Sequence, residues 1–240
     1  MALLFLLFLI GDVERNKMHV WSLEVEVTVN ASLHCDVLLP CIFKADTDQV
    51  DLTHLLVTWE YNSTELIKYK KNDVKNNSRA VLLESNLLNR DASLLLKNVT
   101  IKDKGIYTCN VVYSPHQIKK NVSLKVIATP RISVRSNLAK MNMENTLPCT
   151  ADGFYPSSIN IAWFRDSERI KQETSLAPEE KADGTFSLVS YLTYKTQSSD
   201  AGVNFSCQAQ HESQNEPLIF TFQLQFYSKY PFYIMVIIQV

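Results

Sequence analysis

Apolar and polar residues alternate with a period of two in several short stretches of this chain. Val25, Val27 and Val29 alternate with polar residues, and Leu94 and Leu96 occupy one side of the segment SLLLKNV. Such a pattern is typical of strands that bury one face, because successive side chains of a strand point to opposite sides. No long stretch keeps the 3.6-residue period of a helix. Turn residues separate the apolar segments, so the pattern predicts an all-β fold built from antiparallel sandwiches.

A sequence pattern occurs twice, with a spacing of about a hundred residues. Leu39-Pro40-Cys41 recurs as Leu147-Pro148-Cys149, and each copy is followed by a tryptophan in an apolar run, Trp59 and then Trp163. Each half then ends with an acidic residue, a glycine, an aromatic residue and a cysteine, in the segments DKGIYTC and DAGVNFSC. The repeat predicts two domains of one kind, at residues 23–128 and 129–226.

Composition excludes several classes of function. The chain has 24 basic and 25 acidic residues, for a formal net charge of -1, so it lacks the general basic field that holds nucleic acid or an anionic membrane. Only 5 of its 240 residues are glycine. Neither GxGxxG nor GxxxxGK[ST] is present, which argues against a nucleotide-binding fold.

No motif in the sequence indicates an enzyme. The five histidines, His19, His34, His54, His116 and His211, are scattered, without HExxH or CxxC pairs at metal-ligand spacing. A GxSxG elbow for a nucleophilic serine is also missing. We therefore expect no catalytic residues, no metal site and no cofactor.

The two ends of the sequence are apolar. Residues 2–10 form an apolar run of signal-peptide length, so we interpret residues 1–22 as a signal peptide with a ragged N-terminus. Residues 227–240 end in the apolar segment YPFYIMVIIQV, whose eleven residues would span only about 16 Å as a helix. Because a bilayer core is about 30 Å thick, we interpret this segment as the truncated start of a transmembrane helix or as a hydrophobic tail.

Six N-x-[ST] sequons favour a secretory route. They predict glycosylation at Asn30, Asn62, Asn76, Asn98, Asn121 and Asn204.

The order Cys, Trp, Cys in each half resembles the core of an immunoglobulin sandwich, in which two cysteines join the sheets and a tryptophan packs on the disulfide. The first half resembles a V-set domain, with Trp59 eighteen residues after Cys41 and the motif DKGIYTC. The second half resembles a C1-set domain, with GFYP after Cys149, then DGTF, and CQAQH at its second cysteine. The resemblance implies the disulfides Cys41–Cys109 and Cys149–Cys207, with Trp59 and Trp163 as the core tryptophans.

A V-set domain followed by a C1-set domain resembles the butyrophilin-like co-stimulatory ligands, and is nearest to the branch recognised by a natural cytotoxicity receptor on natural killer cells. Signal-regulatory and tapasin-like proteins share parts of the pattern. The resemblance implies a glycoprotein on the outer side of the plasma membrane, or a secreted one if the anchor is truly truncated. It would bind an immune receptor on T or natural killer cells through the V-set domain. The alternative is a homophilic or structural adhesion protein.

In such ligands the front sheet of the V-set domain commonly forms the binding surface. Trp59 and Cys109 face the core, so their neighbours along each strand are predicted to face outward. An exposed tyrosine at a loop tip, here Tyr113, is the residue type that often dominates binding. The candidate receptor-binding residues are Thr58, Glu60, Lys68, Tyr69, Asn110, Val112, Tyr113 and His116.

Cys35 is left over from the two implied disulfides. Its even offset from Cys41 would point it inward on an unbroken strand, so we interpret it as a buried free thiol. The alternative is an intermolecular disulfide that links a dimer through Cys35.

Overall fold

A computed structural model describes residues 27–45, 49–71, 73–75 and 77–227. The predicted signal peptide, most of the apolar segment 227–240 and the sequon at Asn76 lie outside these ranges. Within them the chain divides into two compact units. The predicted all-β fold of two tandem sandwiches is confirmed, and each unit is described by itself below.

The first unit is built from two sheets of unequal size. Within the described residues its strands are β1 (Val27–Ser32), β2 (Val37–Leu39), β3 (Leu55–Tyr61), β4 (Thr64–Lys70), β5 (Asp73–Lys75), β6 (Ala80–Leu82), β7 (Leu94–Leu96), β8 (Gly105–Tyr113) and β9 (His116–Ile127). The larger sheet has the order β1-β9-β8-β3-β4-β5, and the smaller one has the order β2-β7-β6. We call them the six-stranded sheet and the three-stranded sheet.

Short helices connect some of these strands. They are a 3-10 helix at Leu52–His54, the α-helix α1 at Glu84–Leu87 and a 3-10 helix at Ile101–Asp103. The last of these carries a capping box, in which the Thr100 hydroxyl and N–H both donate to the Asp103 carboxylate. The helix therefore begins at a satisfied cap just before β8.

A disulfide and a tryptophan lie at the centre of the first unit, between its two sheets. Cys41 and Cys109 form a disulfide with an S–S distance of 2.08 Å, and both cysteines are fully buried. Trp59 lies opposite Cys109 in the sheet and is also fully buried. Its Nε1–H donates to the Ala92 carbonyl at 2.8 Å, so the large side chain is packed without an unsatisfied donor. Tyr107, which precedes Cys109 by two residues, stacks on Tyr61 with ring centroids 4.7 Å apart.

The second unit repeats this arrangement with its own strands. They are β10 (Arg131–Val134), β11 (Leu138–Ala139), β12 (Glu144–Phe154), β13 (Ile159–Arg165), β14 (Glu168–Ile170), β15 (Glu173–Ser175), β16 (Glu179–Glu180), β17 (Phe186–Lys195), β18 (Asn204–His211), β19 (Leu218–Gln223) and β20 (Gln225–Phe226). A sheet with the order β10-β12-β17-β15 packs against one with the order β14-β13-β18-β19. The Cys149–Cys207 disulfide and Trp163 lie between them, fully buried.

Candidate functional site

Regular alternation gives the six-stranded sheet one outward face. Because Trp59 and Cys109 point into the core, Thr58 and Asn110 lie on the other side, directly opposite each other in the β3–β8 ladder. The register extends this row across five strands, and its members are Lys119, Asn110, Thr58, Lys68 and Lys75. The neighbouring row contains Gln117, Val112, Leu56, Lys70 and Asp73. We call this surface the front face.

Hydrogen bonds fix several side chains of the front face. Gln117 Nε2 donates to Asn110 Oδ1 at 3.0 Å, across the β8–β9 ladder. Lys68 Nζ lies 3.4 Å from Glu65 Oε2, with both side chains more than 40% exposed, so this ion pair is worth little by itself. The front face is therefore polar, with a lysine at or near each edge and partly ordered side chains between them.

A compact polar cluster adjoins one end of the front face. The Asp51 N–H donates to the Tyr113 hydroxyl at 3.2 Å, which ties the segment before β3 to the end of β8. The Asp51 carboxylate accepts hydrogen bonds from the Thr53 hydroxyl at 2.7 Å and from the Thr53 N–H at 2.9 Å. His54 Nδ1 lies 2.8 Å from the other carboxylate oxygen. The loop is therefore held by its own side chains. We call Asp51, Thr53, His54 and Tyr113 the loop cluster.

The hydrogen bonds of the loop cluster favour the charged form of its carboxylate. Those donated by Thr53, with a smaller contribution from His54, lower the pKa of Asp51 from 3.8 to about 2. Asp51 is thus ionised throughout the physiological range and gives this end of the front face a fixed negative charge.

Glu60, Lys68, Asn110 and Val112 lie on the outward side of the sheet, whereas Tyr113 and His116 pair at its end and share the side of Cys109. Lys68 is exposed, whereas Glu60, Asn110, Val112, Tyr113 and His116 are partly exposed. Tyr113 does not lie at an exposed loop tip, because it is the last residue of β8 and pairs with His116, the first residue of β9. Its hydroxyl is engaged by Asp51, so it is ordered before any partner arrives.

Two of the predicted binding residues are misplaced. Tyr69 is fully buried, because Lys68 faces outward on β4 and the next residue must face the core, where Tyr69 lies opposite Val57. Thr58 does lie on the outward row, but it is only 9% exposed. It is a short side chain on a central strand, flanked by the longer Lys68 and Asn110. Neither residue offers much surface to a partner.

Sequence reasoning missed Asp51 and His54. Their segment, DLTH, has the pattern of an aspartate that accepts hydrogen bonds from the residue two positions later, which is a recognisable local turn. The bond from the Asp51 N–H to Tyr113 could not be found in this way, because the two residues are 62 positions apart.

The sequons are unevenly exposed among the described residues. Asn30, Asn62, Asn98 and Asn204 are exposed, whereas Asn121 is partly buried. The Asn121 side-chain oxygen accepts a hydrogen bond from the Thr108 hydroxyl at 3.0 Å, on the same outward side of β8 and β9 as the front face. A glycan at Asn121 would therefore cover part of that face.

The interpretation of Cys35 as a buried thiol is wrong. Cys35 is exposed and is the one free cysteine within the described ranges. It lies in a turn, where its N–H donates to the Ser32 carbonyl, and β2 begins only at Val37. Strand alternation from Cys41 therefore does not reach it.

Two other kinds of site are absent from the part of the chain that the structure describes. No group of three or more His, Cys, Asp or Glu side chains there is arranged to hold a metal ion. In the same residues, no helix combines the length and apolar character needed to cross a bilayer.

Comparison with known proteins identifies both units. Residues 24–127 match the immunoglobulin V-set domain, and residues 132–214 match the immunoglobulin C1-set domain. Human natural cytotoxicity triggering receptor 3 ligand 1 is 27% identical over 241 positions, which cover 93% of this chain and 52% of that protein. Human tapasin-related protein is 33% identical over 134 positions, which cover 54% of this chain and 28% of that protein. The chain thus spans about half, or less, of the length of these relatives.

A solved structure of bovine butyrophilin is similar in fold. It has a TM-score of 0.64 and 18% sequence identity, and the match covers 82% of this chain and 94% of that one. The resemblance inferred from the sequence motifs is confirmed by the two domain matches and these relatives. With a V-set domain followed by a C1-set domain, the chain belongs to the immunoglobulin superfamily and is butyrophilin-like in its architecture.

Proposed function

We propose that this chain is a cell-surface ligand, which binds an immune receptor on a T cell or natural killer cell through the front face of its V-set domain. The proposal rests on one observation. The polar front face adjoins the loop cluster, which is ordered by hydrogen bonds and contains the aromatic side chain of Tyr113. Support comes also from the relative named as a ligand of natural cytotoxicity triggering receptor 3, since that similarity covers 93% of this chain.

Binding in this proposal takes place in trans, between two cells. The V-set domain makes the contact, and the C1-set domain acts as a spacer, without any catalytic step. Lys68, Glu60, Asn110, Val112, Tyr113 and His116 are the proposed contact residues, with Asp51 added from the structure. A partner surface with both signs of charge would be suited to this face, because lysines lie at its edges and a carboxylate lies at its end.

Surface plasmon resonance of the secreted glycoprotein against a panel of immune-receptor ectodomains would test the proposal. Tyr113→Ala should weaken the identified interaction about thirtyfold, as truncation of a central aromatic anchor costs about 2 kcal/mol. Tyr113→Phe keeps the ring but removes the hydroxyl that accepts the hydrogen bond from the Asp51 N–H. Comparing it with Tyr113→Ala therefore distinguishes a direct contact by the ring from an effect of the hydrogen bond on the loop. Unchanged melting temperatures would exclude unfolding as the cause.

Lys171→Ala is the control, because Lys171 is an exposed residue of the other domain. It should leave the affinity unchanged. Full binding by Tyr113→Ala, or a larger loss with Lys171→Ala, would contradict recognition by the front face.

Homophilic adhesion is the second candidate function, and it is favoured by an exposed apolar surface described in the next subsection. The two functions are separated by binding of the protein to lymphocytes that do not express it. A ligand of an immune receptor binds such cells, whereas a purely homophilic protein does not.

A further inference from the structure

We propose that the outer face of the three-stranded sheet in the V-set domain binds a second copy of this chain. The two copies would be related by a two-fold axis that runs perpendicular to the strands. This surface is on the opposite side of the sandwich from the front face, so the inference does not rest on the proposed receptor site.

The three-stranded sheet is apolar on both of its sides. Its inner side carries Leu39, Leu94 and Leu82, which are paired across the strands and at most 2% exposed. Its outer side should be polar if it met only water, because a half-buried strand alternates apolar and polar residues. Instead, the outward row consists of Leu38, Leu95 and Val81, and Leu38 is 48% exposed.

The apolar character continues along the strands beyond this row. Ile42, which pairs with Asp91, is 59% exposed, and Leu83, directly after β6, is 40% exposed. We define the apolar face as Leu38, Ile42, Val81, Leu83 and Leu95. Single exposed apolar residues are ordinary, but a contiguous group on one sheet is typical of an interaction surface.

Charged residues border the apolar face at both ends. Asp36 directly precedes β2, Arg79 directly precedes β6, and Lys97 directly follows β7, where its N–H donates to the Arg79 carbonyl. This end therefore has two basic residues and one acidic residue. At the other end, Asp91 pairs with Ile42, Glu84 follows Leu83, and Lys44 lies beyond Ile42. Arg90 directly precedes Asp91, and the Phe43 N–H donates to the Arg90 carbonyl, so that end has two acidic and two basic residues.

On each strand, the charge at one end is opposite in sign to the charge at the other end, with Asp36 and Lys44 beside β2, Lys97 and Asp91 beside β7, and Arg79 and Glu84 beside β6. This arrangement is complementary to itself, which selects a second copy as the partner. A two-fold axis perpendicular to the strands keeps the order of the strands and reverses their direction. It places Lys97 of one copy opposite Asp91 of the next. It also brings Arg79 towards Glu84, and Asp36 towards Lys44. An axis along the strands would reverse the strand order, so that β7 lies over β7. Lys97 would then meet Lys97, and Asp91 would meet Asp91, in the middle of the interface.

The size of the apolar face indicates a weak association. Three strands about 4.8 Å apart, over the three outward rows that the apolar face occupies, give a surface of about 15 Å by 20 Å. This is about 300 Å² per copy, whereas a stable interface buries about 800 Å² per partner. The dimer should therefore form reversibly at micromolar or higher concentrations, and become significant where many copies are concentrated on a surface.

Sedimentation equilibrium of the purified glycoprotein tests the proposal directly. The chain would carry Cys35→Ser, so that no covalent dimer contributes. Its glycans would be trimmed enzymatically, because the Asn98 sequon begins one residue after Lys97. We expect a monomer–dimer equilibrium that weakens at least tenfold in Leu38→Asp. Ile219→Asp, a matched change at a residue 57% exposed in the C1-set domain, should leave the equilibrium unchanged. A protein that stays monomeric at several hundred micromolar would overturn the proposal, as would an equal loss in Ile219→Asp.

A charge exchange tests the orientation. Arg79→Glu and Glu84→Lys each put like charges together in the proposed dimer, so each should weaken it several-fold. The double variant restores opposite charges at both ends, and should dimerise within about twofold of the parent. Thermal melting of each variant would show that the fold is intact. A double variant no tighter than the single variants would overturn the two-fold arrangement.

Discussion

At the scale of single residues, Asp200 shows how a buried charge is satisfied in the C1-set domain. It is only 1% exposed, and its carboxylate lies 2.9 Å from Arg165 Nε. The Tyr194 hydroxyl donates to the same oxygen at 3.3 Å, and the Gln197 N–H donates to the other oxygen at 2.7 Å. The hydrogen bond with Asp200 raises the pKa of Arg165 above its ordinary value. Donors from β13 and from the end of β17 and the residues after it therefore depend on one carboxylate.

Replacing that carboxylate should destabilise the C1-set domain. Asp200→Asn leaves Arg165 without its charged partner, and we expect a loss of about 2 kcal/mol, less than for a fully buried pair because Arg165 is 30% exposed. The matched control is Asp152→Asn. Asp152 pairs with Lys181 at 3.1 Å in a more exposed setting, so its loss should cost less than about 1 kcal/mol. Urea unfolding would measure both, and equal effects would contradict this account.

The loop cluster should respond to acid in a narrow range. Since folding lowers the pKa of Asp51 to about 2, its hydrogen bonds contribute fully above the ordinary value of 3.8 and are lost as the pH falls through about 2. The Asp51 transition seen at the Thr53 amide resonance should therefore have its midpoint near 2. Nuclear magnetic resonance would follow it, with Asp51→Asn as the control that removes the transition. A midpoint near 4 would show that the cluster is not formed in solution.

At the scale of strands and sheets, the two core tryptophans are anchored differently. The Trp59 indole N–H donates to a backbone carbonyl, whereas the Trp163 indole N–H donates to the Ser190 hydroxyl on β17 at 3.2 Å. Both bonds join the two sheets of a sandwich near the disulfide. Only the second can be removed by changing one side chain.

Ser190→Ala should therefore destabilise the C1-set domain selectively. It leaves the buried Trp163 N–H without its acceptor, and an unsatisfied buried donor costs about 1 to 3 kcal/mol. Ser187→Ala, a change on the same strand at a partly exposed position, is the control and should cost less. Differential scanning calorimetry would show a lower melting temperature for the C1-set transition alone. A shift of the V-set transition would contradict the assignment.

The strand pattern predicted the sheets well and the individual contacts less well. Alternation around Trp59 and Cys109 placed Asn110 and Val112 on the outward side, as found. It could not have placed both Lys68 and Tyr69 there, because neighbours on a strand face opposite ways. The prediction for Cys35 was wrong because the strand does not reach it. The bond between Asp51 and Tyr113 depends on tertiary packing, which no local pattern contains.

At the scale of the whole molecule, the two disulfides and the exposed cysteine give a chemical test of the fold. Non-reducing peptide mapping should recover Cys41 linked to Cys109 and Cys149 linked to Cys207. A maleimide added to the native protein should modify Cys35 alone and rapidly, because it is exposed. A crosswise link such as Cys41–Cys149 would contradict two independent sandwiches. A Cys35 that reacts only after denaturation would contradict the turn in which it lies.

The unequal sheets of the V-set domain have a consequence for its local stability. The strands β2, β6 and β7 have three residues each, whereas β8 and β9 have nine and twelve. A short ladder has few backbone hydrogen bonds to break, so it opens at a lower free energy than a long one. Amide hydrogens of the three-stranded sheet should therefore exchange with deuterium well before those of β8. The domain would then combine a six-stranded sheet that resists opening and carries the proposed receptor surface with a three-stranded sheet that opens more easily. Formation of the proposed dimer would protect this smaller sheet from opening.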